Sequence, residues 1–169
     1  MDYTVVYDAA NVAPDWWFPA TGLAPIVSSL VVWRFRHRMP LLWHGPFATS
    51  ARWRTRFCLV CLGFSIFWTS FAAFSVFVPY VQAQRALRAG SARIVQGRVE
   101  NFCPMPSNGH GTERFTVQGV HFAYSDAVVS PFFKNTRSHG GPIRPGLLVR
   151  IYYLGTNECA SIVKLEIKR

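Results

Sequence analysis

Apolar and polar positions along this chain follow two different rhythms. Residues 57–81 run without a charged side chain and are rich in Phe, Leu, Val and Ala, with Ser65, Thr69, Ser70 and Ser75 as the hydroxyl interruptions. At ~1.5 Å of rise per residue such a helix reaches about 37 Å, enough to cross a hydrocarbon core of roughly 30 Å with allowance for tilt. A buried helix of a soluble protein is usually shorter and carries a wider polar stripe. The run therefore predicts a transmembrane helix over 57–81.

A second uncharged run extends from Trp16 to Trp33. Pro19 stands where a first helical turn tolerates it, whereas Pro25 removes a backbone donor and predicts a kink or a delayed start. Trp16, Trp17 and Trp33 mark the ends of the run. That is the placement of interfacial anchors, because an indole is largely apolar yet carries an N–H that wants a polar partner. The expected span is 16–35.

After Gly90 the rhythm changes to a period of two, the signature of strands. Val95, Gly97 and Val99 alternate with polar partners, as do Phe115 and Val117, and Val120, Phe122 and Tyr124 continue on the opposite parity. The parity changes at Gln118-Gly119, which predicts a two-residue β-hairpin turn. Val149, Ile151 and Tyr153 give a fourth strand, and Val163, Leu165 and Ile167 a fifth. The expected fold is an α+β membrane protein: two transmembrane helices plus a small five-stranded antiparallel module, barrel-like in the SH3 or OB manner. The stretch 126–146 is long for a connection and holds Pro131, Gly140, Gly141, Pro142, Pro145 and Gly146. It is expected to be an ordered loop with one helical turn around 127–133.

Charge orients this layout. The chain has 169 residues, half of them apolar, with 18 Lys plus Arg against 8 Asp plus Glu and a net charge of +10. That apolar content excludes a disordered chain. A mean hydropathy of +0.16 beside a pI of 10.1 favours a membrane anchor carrying a small module. Asp2, Asp8 and Asp15 precede the first run with no Lys or Arg, unlike a cleavable signal peptide. Arg34, Arg36, Arg38, Arg52, Arg54 and Arg56 lie between or beside the two runs without an acidic residue, and loops with that bias stay cytoplasmic. Arg85, Arg88, Arg93 and Arg98 follow the second run, so the bias is six against four. The expected organisation is an extracytoplasmic segment 1–15, helix 16–35, an Arg-rich cytoplasmic loop 36–56, helix 57–81, a linker 82–90 and an extracytoplasmic β-module 91–169. Because the arginines flank apolar runs, anionic lipid headgroups are their expected partner in preference to nucleic acid.

Gly97-Arg98-Val99-Glu100-Asn101-Phe102, Phe115-Thr116-Val117, Phe122-Ala123-Tyr124-Ser125-Asp126, Ser138-His139-Gly140-Gly141-Pro142-Ile143 and the Gly-x-x-Val-x-Val-like run from Gly146 to Tyr153 carry a resemblance. The chain resembles uncharacterised bacterial membrane proteins of the domain-of-unknown-function type, in which a two-helix hairpin precedes a small β-module. The resemblance implies a fold and a bacterial inner membrane, and no activity or functional residue.

Four cysteines form two pairs. Cys58 and Cys61, one helical turn apart inside the second span, are expected to pack, since no second cluster completes a metal site. Cys103 and Cys159 flank the first and last predicted strands and can close a disulfide if the module is extracytoplasmic. His110, His121 and His139, with Glu113, Asp126 and Ser138, are the only material for a hydrolytic or metal site, and no phosphate loop or Gly-x-Ser-x-Gly elbow is present. No catalytic residue, metal or cofactor is assigned. The expectation is a membrane-anchored, non-enzymatic interaction module, with Phe132, Phe133, Lys134, His139, Gly140 and Gly141 as its contact loop and a protein partner or a second copy as its ligand. The alternatives are an enzyme built on the three histidines, and an oligomeric channel or transport accessory packing through Gly63, Ser70 and Ala73.

Overall fold

A computed structural model describes residues 2–35, 51–106 and 111–168. Arg36, Arg38 and His110 lie outside them. The chain divides into two compact units, Trp16–Val76 on one hand and Met1–Asp15 with Phe77–Arg169 on the other.

The first unit is helical. Helix α1 (Trp17–Ala20) and helix α2 (Leu23–Phe35) are separated at Thr21-Gly22, so that Pro25 falls in the first turn of α2, where its missing N–H costs nothing. Helix α3 (Ala51–Arg88) continues well beyond the uncharged run at both ends. In this unit its buried positions are Cys58, Ser65, Ala72 and Val76. These small residues share one face, and a Cβ on Gly22 would fall on the Thr69 side chain. Opposite them Val60, Phe64, Phe67, Phe71 and Phe74 are exposed. The stretches Trp17–Phe35 and Arg52–Arg88 are both long and apolar enough to cross a membrane.

The second unit is a seven-stranded, mostly antiparallel open sheet: β1 (Tyr3–Asp8), β2 (Arg93–Arg98), β3 (Glu100–Cys103), β4 (Glu113–Val117), β5 (Val120–Tyr124), β6 (Leu148–Gly155) and β7 (Ala160–Lys168). Strand order is β2-β6-β7-β5-β4-β3, with β1 added on β7. All five sequence-predicted strands are present, and Gln118 and Gly119 make the expected hairpin turn, both at positive φ with Val117 facing Val120. Two strands escaped the reading. β3 is separated from β2 only by Val99, and this one segment supplies both ends of the strand order. β1 comes from the segment expected to stand apart: it runs antiparallel to β7, Tyr3 facing Lys168 and Asp8 facing Lys164.

The inner core joins Phe115, Phe122, Ile143, Val149, Ile151 and Leu165, all fully buried. A second cluster on the other face joins Ala9, Ala83 and Val163, with Leu87 and Tyr152 against them. The predicted linker 82–90 is thus mostly helix, packed on the sheet. α3 stops where Gly90, at φ +63, allows Ser91 N–H to reach Ala86 O (3.0 Å) and Gly90 N–H to reach Leu87 O (3.2 Å), a Schellman ending.

Candidate functional site

The loop after β5 is held by two carboxylates. Glu113, on β4, is fully buried, and its Oε1 accepts from the Tyr124 hydroxyl while its Oε2 accepts from Arg137 N–H at 2.9 Å. Asp126 Oδ2 accepts from Thr136 Oγ1 at 2.9 Å and pairs with His139 Nδ1. Between them sits a 3-10 turn, Arg137–His139, in place of the turn expected at 127–133. That earlier stretch is non-helical and exposed at Val128 and Val129, and only its end turns inward, where Phe133 enters the core edge-on to Tyr124 and Tyr7, with ring centroids 5.1 and 5.6 Å apart.

Burial and electrostatics follow from this packing. Burial, and then the hydrogen bond to Glu113, push the Tyr124 phenol far above its ordinary range. Burial, assisted by Asp15 and Asp8, raises Tyr7 to about 12. Desolvation of Asp126 acts upward, but the bonds from Thr136 and His139 outweigh it and hold the carboxyl below its usual value.

The expected contact loop is corrected in part. Phe133 is core, Phe132 is half-buried and Lys134 Nζ is paired with Asp15 Oδ2 at 2.8 Å, so none of the three is a free anchor. Gly141 is buried against Asn135 and Thr136, whereas His139 and Gly140 are exposed. An apolar anchor was legible in Phe132-Phe133, but the sheet claims it.

The Asp126–His139 pair orients an imidazole and leaves most of the ring to solvent. Ser138 Oγ lies 3.2 Å from Thr136 Oγ1, which itself lies 3.3 Å from His139 Nδ1, and no hydroxyl among the described residues meets the other ring nitrogen. The geometry is that of a loop clasp, not of a nucleophile–base relay. His121 is exposed on β5, its backbone N–H bonded to Asn157 O. Among the described residues no group of three or more His, Cys, Asp or Glu can hold a metal.

None of the four cysteines forms a disulfide, and Cys103 and Cys159 are exposed thiols. β3 and β7 are separated by β4 and β5 in the strand order. Three steps of about 4.8 Å amount to ~14 Å, against the Cα limit of about 7 Å for a bridge. Cys58 and Cys61 line a small cavity with Ser28, Ser29, Val32 and Phe57, in keeping with a packing role.

A feature without a sequence signal is a cleft of about 270 Å³ between the last turn of α3 and the outer face of the sheet, lined by Leu87, Arg88, Ile94, Tyr152, Lys164 and Asp8 among others. Its floor is a cross-strand row: Ile94 faces Tyr152, Tyr152 faces Lys164 and Lys164 faces Asp8. Lys164 Nζ bonds Glu166 at 2.7 Å and lies 5.1 Å from the Tyr152 ring centroid. No family model, curated protein or solved structure matches the chain.

Proposed function

We propose that this chain is a non-catalytic binding module anchored in a bacterial inner membrane by a helical hairpin. The observation that carries the reading is the β1–β7 ladder, which ties residues 3–8 to residues 164–168 by backbone pairing. Strands that pair share one side of a bilayer, so the chain between them crosses an even number of times. The two apolar stretches Trp17–Phe35 and Arg52–Arg88 supply two crossings.

Exposed Phe and Val on α3 suit a lipid solvent, and the arginines about the connection suit a cytoplasmic loop. N-terminus, C-terminus and sheet then lie outside. The bend at Val99, with its N–H bonded to Leu147 O and its carbonyl accepting from Gly146 N–H, both at 2.9 Å, supports reading β2 and β3 as one strand that closes a small barrel. Binding in preference to catalysis rests on the clasp geometry of Asp126 and His139.

The test is labelling of full-length protein in intact bacterial cells with a membrane-impermeant maleimide. Cys159, and a cysteine placed by Asp2→Cys in a Cys103→Ser, Cys159→Ser background, are expected to label from outside. Labelling of the two positions from opposite sides, or recovery of the folded chain in the aqueous fraction, would overturn the proposal.

A further inference from the structure

We infer that the cleft between α3 and the sheet seats the headgroup of a phospholipid, with its phosphodiester on Arg88 and Lys164 and an N–H or O–H of the headgroup donating to Asp8. The inference rests on the membrane reading above. Its floor is fixed by strand register, since Ile94, Tyr152, Lys164 and Asp8 stand in one line across β2, β6, β7 and β1. Its wall is the end of α3, where Arg88 makes no hydrogen bond or ion pair with the described residues. Lys164 is held in place by Glu166, whose hydrogen bond raises the ammonium's pKa and keeps it charged.

Chemistry and size select the ligand. Arg88 and Lys164 supply cations. The Asp8 carboxylate beside Lys164 already accepts from Ala10 N–H and Asn11 Nδ2 and has lone pairs left for a further donor, so the cleft suits a group with an anionic centre and a hydrogen-bond donor. At about 270 Å³ it lies just below the usual range of ligand pockets, ~300–1,000 Å³, so it takes a headgroup and not a whole lipid. Position selects the source: Arg88 follows the end of the uncharged run, Val81, by seven residues, or ~10 Å of helix, just outside a headgroup layer of about 5–8 Å into which its long side chain reaches back.

The test uses full-length protein in nanodiscs of equimolar phosphatidylethanolamine, phosphatidylglycerol and phosphatidylcholine, with retained lipids counted by native mass spectrometry. Choline has no N–H, so ethanolamine and glycerol lipids are expected to be retained over phosphatidylcholine. Arg88→Gln is expected to lower their retention about ten- to a hundredfold, the range for loss of one charge-assisted contact. Arg85→Gln removes the same charge from the same helix outside the cleft and is expected to leave retention unchanged. Equal retention of all three lipids, or equal effects of the two variants, overturns the cleft assignment while leaving the anchor intact. Failure of the protein to enter nanodiscs overturns the anchor, and the cleft assignment falls with it.

Discussion

Ala9 N–H donates to the carbonyl of Val163 over 2.9 Å, and both side chains are buried with Ala83 of α3. The first strand, the last strand and the end of the long helix thus meet at one point, within a single folding unit. What looks in sequence like a tail, a linker and a module is one packed body.

Overfilling that point should therefore loosen all three segments. Ala83→Leu adds volume where Ala83 is wholly buried and is expected to cost about 1–3 kcal/mol. Thermal unfolding in detergent measures it. The exposed neighbour Arg85→Ala should stay within about 0.5 kcal/mol.

Glu113 offers a second test, because its carboxylate serves one buried and one part-buried donor. Glu113→Ala strands the Tyr124 hydroxyl and the Arg137 N–H and is expected to destabilise the unit by about 2–5 kcal/mol. Tyr124→Phe should cost the same or less. A Glu113→Ala variant as stable as the parent in denaturant titration would contradict the clasp.

The helical unit is tested at Gly22, where any Cβ meets Thr69. Gly22→Val is expected to be destabilising by about 1–3 kcal/mol, and Thr69→Ala, by clearing Oγ1 and Cγ2, should recover part of the loss. Equal melting of Gly22→Val with and without Thr69→Ala would rule out the contact.

Stability should fall at both extremes of pH. Tyr7 and Tyr124 have folded pKa values raised above the ordinary 10.0, so their contribution is full below pH 10 and falls as pH climbs above it, through 10 to about 12 for Tyr7 and continuing beyond for Tyr124. Tyrosinate absorbance should show Tyr7→Phe removing a late-titrating phenol. Asp126 is depressed below 3.8, so its contribution is present above that value and is lost as pH falls below it. Protection of the amides of residues 126–141, relative to their intrinsic exchange rate at each pH, should fall in acid, and Asp126→Asn should bring the same loosening at neutral pH.

Side-chain rhythm alone decided the helices and five strands. Charge-free length and strict alternation are local properties, and the Gln118-Gly119 turn is dictated by two residues at positive φ. Tertiary structure decided the rest. Val163 has the parity of Leu165, yet it lies in the outer cluster because register shifts at Tyr152/Tyr153 and leaves it as the extra residue in β7. Phe133 reads as an exposed anchor until the core takes it, and Cys103 and Cys159 read as partners until strand order parts them. Pairing of Tyr3–Asp8 with the far end of the chain, and the cleft it helps to build, depend on contacts between residues more than 150 positions apart, which no local pattern encodes.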